Sequence, residues 1–286
     1  MSFGGRLTLV GSVLNSLPVY YFSHFRALPC VLNKLESVRR KNFWGGSGDV
    51  SKMSWVRWDD VIRPFEAGGL NLGSLKCKNW ALIGKWWWRF NTESTSLWVK
   101  VIKSIYGGSG HLLTGGLSCS SSSNSLWLDI VKTCFKIDEV GIDFTRSMVR
   151  TIGNGNNTSF WQDPWLGNTP LKITYSRLFR LEVNQDAKVC DRVIWQSHAF
   201  VSDAVLARVP NGRTRGELMA INNMLQDLSF DTTKEDSWVW SLSGNGNFCT
   251  KILNDLIFSK TFQTGGITNG ATLRNNLIPK EVEIFI

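Results

Sequence analysis

Two groups of cationic side chains stand next to tryptophan in this chain. Arg39, Arg40 and Lys41 run directly into Asn42, Phe43 and Trp44, and Lys78, Lys85 and Arg89 flank the consecutive Trp86, Trp87 and Trp88. Lysine and arginine neutralise phosphates and release counterions, while an exposed indole offers a face on which a nucleobase stacks. The chemistry these residue types suggest is polynucleotide binding, with Arg39, Arg40, Lys41, Lys78, Lys85 and Arg89 on phosphate and Trp88 on a base. Each group also has a purely structural reading. Cations at the end of a helix are favoured by its dipole and by water, and adjoining tryptophans can simply fill a core.

The elements that must position these residues read as follows. A helix from about Leu75 to Phe90, at about 100° per residue, puts Trp80, Ile83, Trp86, Trp87 and Phe90 within an arc of about 120°. Lys78, Lys85 and Arg89 fall on the opposite side. Trp88 sits on the flank of that basic face, which makes it the one tryptophan of the run placed to stack on a base or on Arg89. The segment "CVLNKLESVRRKNFW" carries Val31, Leu35 and Val38 as an apolar stripe ahead of the basic triplet. Near the N-terminus, Leu7, Val10, Leu14 and Leu17 recur at helical spacing. That stretch is interrupted by Asn15 and Ser16 and lacks a small-residue cleavage site, so it is read as a core-facing helix rather than a signal peptide. No uninterrupted apolar run of about 18 residues exists, and no membrane span is expected.

"GGSGD" at 45–49 is a loop, Pro64 and Gly68-Gly69 mark turns, and "SLWVKVIKSIYG" is a further helix closed by glycine. The Gly/Ser-rich run at 107–125 reads as a surface loop or linker, followed by a helix near 126–140. From 148 the pattern turns toward strands. "MVRTIGNGNNTSFWQDPWLG" and "DSWVWSLSGNGNF" read as two hairpins around Gly-Asn-Gly turns, the second with Trp238, Trp240 and Leu242 alternating. Helices are expected in "GRTRGELMAINNMLQDL" and after Phe248. The fold class is α+β, with a helical N-terminal half and a C-terminal half of β-hairpins with interspersed helices.

Composition agrees with a polyanionic partner. The chain has 286 residues, 32 Lys+Arg against 23 Asp+Glu, a net charge of +9 and a pI near 9.4. Such a balance favours nucleic acid over a membrane surface. Six cysteines lie far apart with no C-x-x-C pair, and only three histidines are present, so zinc spacing is missing and the cysteines read as free, mostly buried thiols. The Gly-Asn-Gly turns lack the lysine and the strand–turn–helix context of a phosphate loop. His24, His111 and His198 have no nucleophile pattern around them. Asp163, between two tryptophans in "FWQDPW" and ahead of Pro164, reads as part of a rigid turn.

Taken in order, "FGGRLTLVGSVLNSLPVYYFSHFRAL", "LESVRRKNFWGG", "MSWVRWDDVIRPFEAGGLNLGSL", "ALIGKWWWRF", "LWVKVIKSIYG", "VRTIGNGNNTSFWQDPWLG" and "DSWVWSLSGNGNF" resemble one known arrangement. It is the part of plant non-LTR (LINE-type) retrotransposon reverse transcriptases that follows the palm and runs into the start of the reverse-transcriptase zinc-binding domain. The resemblance covers residues 2–286. It departs at Glu281, where the family tends to carry lysine, and at Cys249 and Thr250. It implies a thumb-like helical segment at 1–72, a Trp-rich connector at 73–147, a hairpin-plus-helix region at 148–235 and the truncated start of the zinc-binding region at 236–286.

In function the resemblance implies a nucleic-acid-binding segment that supports an RNA or DNA template–primer, while an upstream palm performs RNA-directed DNA synthesis. The Tyr-Ala-Asp-Asp motif of that palm does not occur here, and the one Asp-Asp pair, Asp59-Asp60, falls in the post-palm segment, where it caps a helix or stands at the surface. No catalytic residue, no metal ligand and no cofactor is therefore expected in this chain, magnesium belonging to the missing palm and the zinc ligands lying past Ile286. The chain is expected in the nucleus or cytoplasm and not secreted, without membrane contact. A non-catalytic interaction module, or a decayed retroelement fragment with no retained activity, is the competing reading.

Overall fold

The computed structural model describes residues 1–45, 53–107, 110, 125–194, 199–200, 206–226, 228, 231 and 233–263. Most of the loop at 45–49, most of the Gly/Ser run at 107–125, His111, Cys119, His198 and the closing stretch 273–286 lie outside the described residues.

Helices dominate. In chain order they are α1 (Phe3–Thr8), continued by a π-helical Leu9–Leu14, α2 (Val19–Phe22), α3 (Pro29–Trp44), α4 (Trp58–Val61), α5 (Leu75–Thr92), α6 (Leu97–Tyr106) and α7 (Leu126–Glu139). Then follow β1 (Met148–Thr151), α8 (Leu171–Thr174), α9 (Ser176–Phe179), β2 (Val193–Ile194), β3 (Ala199–Phe200), α10 (Gly212–Gln226), β4 (Ser237–Trp240) and α11 (Thr250–Gln263). The architecture is mixed α+β, as the sequence indicates.

The chain divides into two compact units that interleave along the sequence. One comprises Met1–Trp87, Cys119–Ile142 and Cys249–Ile286, the other Trp88–Ser118 and Asp143–Phe248. The division falls inside α5, between Trp87 and Trp88.

In the first unit, α3 starts with Pro29 at its first turn and ends at Gly45 in the left-handed region at φ 77°, the Pro-start, Gly-stop asymmetry of helix ends. Its buried residues are Leu32, Arg39 and Phe43, while Val31 and Val38 are exposed. The stripe expected on Val31, Leu35 and Val38 is thus rotated, because Glu36 allows a charged residue, Arg39, to face inward. The turn after α4 folds back through Leu70 N to Val61 O at 2.9 Å and Gly73 N to Ile62 O at 2.9 Å. A Cβ at Gly69 would lie 2.3 Å from the Arg63 carbonyl oxygen, so only glycine fits there. Asn79, fully buried on α5, donates to the carbonyls of Phe22 and Phe25 and accepts from Ala27 N at 3.0 Å, and so ties α5 to the end of α2.

In the second unit the main sheet is a two-stranded antiparallel pair of β1 and β4, in the register Met148↔Trp240, Val149↔Val239, Arg150↔Trp238 and Thr151↔Ser237. The first of the two local hairpins read from the sequence is therefore replaced by a long-range pairing. The cause is the Asp236 carboxylate just ahead of β4. It accepts from the backbone N–H of Gly153, Gly155 and Asn157 and from the Thr158 hydroxyl, all at 2.8–2.9 Å, and draws the first Gly-Asn-Gly loop onto the 234–236 segment. Gly153 packs so closely there that a Cβ would sit 2.1 Å from the Lys234 carbonyl oxygen. The second Gly-Asn-Gly segment does turn back tightly, with Trp240 N donating to Gly246 O at 2.7 Å. A core of Phe160, Trp161, Trp165, Leu171, Leu178, Val189, Phe200, Ile221 and Leu225 fills this unit. Both indoles of "FWQDPW" are satisfied, Trp161 Nε1 donating to Glu182 and Trp165 Nε1 to Phe160 O. Glu182 also holds Arg192 in a buried pair with contacts at 3.0 and 3.2 Å.

Candidate nucleic-acid interface

In the first unit, the two members of the basic set that the fold absorbs are Arg39 and Lys78. Arg39 has only 1% of its side chain exposed and pairs with Glu36 at 2.6 Å. It donates to the carbonyls of Leu72 and Gly73, each at 3.0 Å, and lies 5.5 Å from the Trp58 ring centroid. Glu36 in turn accepts from Trp58 Nε1 at 2.9 Å and from Leu75 N at 3.0 Å. A carboxylate at the first backbone N–H of α5 is favoured by the helix dipole. Burial lowers the pKa of Arg39, and Glu36 opposes that shift. The guanidinium is a strut between α3 and the start of α5, and it has no free face for a phosphate.

Lys78 is half-buried and donates to Asn15 O at 3.1 Å, while Asn15 Nδ2 donates to Leu72 O at 2.9 Å. Burial, and secondarily the Arg39 charge, lowers its pKa. Arg39 and Lys78 thus come together on either side of Leu72, as a polar knot inside the unit. Arg40, Lys41 and Lys85 remain exposed. They are the members of the first-unit set that stand at the surface, and Lys34, also exposed, lies two helical turns before Lys41 on the same face of α3.

The tryptophan run splits by environment. Trp87 is 4% exposed and packs on Trp127 at 5.9 Å between ring centroids. Trp86 is half-buried, with its Nε1 donating to Ser23 O. In the second unit, Trp88 is half-buried and stacked on Phe248 at 6.0 Å with an interplanar angle of 19°. Phe248 also packs on Trp240 at 4.9 Å and Phe144 at 6.3 Å. One face of Trp88 is therefore taken by the protein's own aromatic cluster. Arg89 reaches Glu93 through two contacts, at 2.7 and 3.1 Å, and lies 6.0 Å from the Trp98 ring.

Among the described residues the acidic and sulfur side chains form no evident reactive centre. Asp60 is held by Arg57 at 2.9 Å and Arg63 at 3.2 Å, and Asp59 is exposed in the first turn of α4, so the pair's donor set does not suit a shared metal ion. Among the described residues no group of three or more His, Cys, Asp or Glu side chains is placed to hold a metal. Five described cysteines are free; Cys77 and Cys134 are buried, Cys30 is exposed and Cys190 and Cys249 are intermediate. Burial pushes the Cys77 thiol up to about 11 and raises Cys134 as well, which keeps both thiols protonated. No described helix is long and apolar enough to cross a membrane.

The sequence reading missed the cations of the second unit. Lys103 on α6, Arg150 on β1, Lys172 on α8 and Lys188 all lie within electrostatic reach of Asp163. Burial raises the pKa of Asp163, against Ser159 N, which donates to it at 2.8 Å, and against Arg150, Lys188 and Lys103. No local spacing signals this arrangement, since the four residues come from separate elements.

Comparison with known proteins gives two full-chain or partial relatives. The chain is 28% identical over 294 aligned positions, covering all of it and 44% of the relative, to an Arabidopsis thaliana protein named "Putative ribonuclease H protein". It is 28% identical over 158 positions, 54% of this chain and 97% of the relative, to an uncharacterized mitochondrial protein of the same plant. The chain thus spans less than half the length of the first of these. No family model and no solved structure matches.

Proposed function

We propose that the chain is the nucleic-acid-binding, post-palm segment of a plant non-LTR retrotransposon reverse transcriptase, which supports a template–primer and contributes no catalytic carboxylate of its own. The observation that carries this reading is the ordered set of motifs along residues 2–286, together with full-length similarity to a plant protein more than twice as long that is named for an activity on nucleic acid. The net charge of +9 and the exposed Arg40, Lys41 and Lys85 supply sequence-independent phosphate contacts. Arg39 serves by tying α3 to the start of α5, and Lys78 by tying α5 to the N-terminal helical segment at Asn15.

The test is binding of a labelled RNA–DNA hybrid by the full chain and by its Arg40→Gln/Lys41→Gln/Lys85→Gln variant. Wild-type binding that weakens with salt, and weakens less steeply in the variant, supports the reading. Nucleotide incorporation by the purified chain on a primed RNA template overturns the assignment of catalysis to an upstream palm.

A second reading, an interaction module or a decayed fragment, draws on exposed apolar side chains in the first unit: Leu17, Tyr20, Tyr21, Phe25 and Leu28 are each more than half exposed. Negligible binding of the hybrid at low salt favours it.

A further inference from the structure

The second unit holds a basic patch that the reading above does not use. Backbone contacts fix its frame around residues 159–164. Arg150 N donates to Pro164 O at 2.8 Å, and Lys172 N donates to Trp161 O at 3.2 Å. Ser159, which donates to the Asp163 carboxylate, forms an antiparallel bridge with Lys188. The Lys172 ammonium rests on the Gln162 side-chain oxygen. From α6, the Lys103 ammonium lies 5.5 Å from the Phe90 ring centroid.

Among the described residues none of these four cations makes an ion pair. Lys103, Arg150 and Lys172 are half-buried and their pKa values are lowered by that burial. Lys188 and Arg150 also repel Lys103. Three carboxylates act on the set from a distance. Asp163 is shared among all four cations, Asp236 is saturated by its own loop, and Asp186 is exposed to water. Partly desolvated cations without a paired anion are costly, and a bound anion relieves that cost. Arg150 is already committed, donating to Thr158 Oγ1 and Asn157 O, each at 3.0 Å, and lying 5.1 Å from the Trp238 ring. The three lysines are point charges on separate segments, without the planar fork that reads a single carboxylate. Ammonium groups carried on separate segments suit several singly charged phosphates better than one forked anion.

We infer that Lys103, Lys172 and Lys188, with Arg150 as a fixed positive support, bind the phosphodiester backbone of a polynucleotide. The inference rests on the nucleic-acid reading above and adds a second contact region to it.

The experiment measures binding of a fluorescein-labelled RNA–DNA hybrid against sodium chloride concentration for three full-length proteins: wild type, the triple variant Lys103→Gln/Lys172→Gln/Lys188→Gln, and the triple variant with arginine at the same positions. With about 0.9 counterions released per phosphate contact, the glutamine variant is expected to lose about 2–3 from the slope of log affinity on log salt, and on the order of tenfold or more in affinity at low salt. The arginine variant keeps the wild-type slope, which shows that charge and not side-chain packing is at stake. A wild-type slope in the glutamine variant overturns the patch while leaving the functional reading standing, and so does an arginine variant that loses as much as the glutamine one. Absence of salt-dependent binding by the wild type overturns both together.

Discussion

Replacing Arg39 by methionine separates the residue's structural role from any role in gripping phosphate. The substitution keeps most of the aliphatic volume and removes the guanidinium. Lost with it are the 2.6 Å pair to Glu36, two hydrogen bonds to the Leu72 and Gly73 carbonyls, and the contact with Trp58. Breaking a buried pair by deleting one partner costs about 3–5 kcal/mol. Here Glu36 is 22% exposed and keeps its bonds from Trp58 Nε1 and Leu75 N, which places the loss at the lower end. Leu72 O likewise keeps the donor from Asn15. A net loss of about 3 kcal/mol follows, read as a drop in thermal midpoint on the order of 10 °C. The assay is thermal unfolding followed by circular dichroism, with hybrid binding measured well below the midpoint. The salt slope of binding should be unchanged in Arg39→Met, whereas Arg40→Gln/Lys41→Gln should lower it by about 1.8 with little change in stability. An Arg39→Met protein that unfolds like the wild type but binds the hybrid with a reduced slope refutes the reasoning.

Three further outcomes follow from the same geometry. Trp88→Ala removes the stack on Phe248 and should cost about 2 kcal/mol in a denaturant titration; unchanged stability with weakened hybrid binding would return Trp88 to the role of a base platform. Asp236 is depressed in pKa because its four hydrogen bonds outweigh the opposing effect of burial. Its stabilisation is therefore present above the unfolded carboxylate value and lost as pH falls below about 4, and Asp236→Asn should flatten that acid limb in a pH series of unfolding midpoints. Burial is the main cause of the raised pKa at Asp163. Asp163→Asn keeps an acceptor for Ser159 N and removes the patch's shared negative charge, so hybrid affinity should rise at low salt; a fall in affinity contradicts the placement of phosphate there.

Helix phase alone located the inward face of α5 well at Trp87 and Phe90, 4% and 2% exposed, because apolar side chains repeat there at helical spacing. It misjudged α3, where an inward-facing arginine is tolerated only through Glu36 and the carbonyls of Leu72 and Gly73, partners remote in sequence. The Gly-Asn-Gly loop was legible as a turn, but its destination was not. Gly153, Gly155 and Asn157 are claimed by Asp236, some eighty residues on, and β1 then pairs with β4 rather than with its neighbour. "FWQDPW" did read as a turn pinned by aromatic packing, since Phe160, Trp161 and Trp165 are all buried. The exposed half of the first basic cluster, Arg40 and Lys41, was visible as a charge run, whereas the lysines around Asp163 share no run, stripe or spacing.

The most direct test of a nucleic-acid role is the affinity of the intact chain for an RNA–DNA hybrid across a series of salt concentrations. A nucleic-acid-binding chain gives a linear fall of log affinity with log salt, with a slope of several units, about 0.9 for each phosphate contacted. Binding that is absent at low salt, or that does not change with salt, would contradict that role.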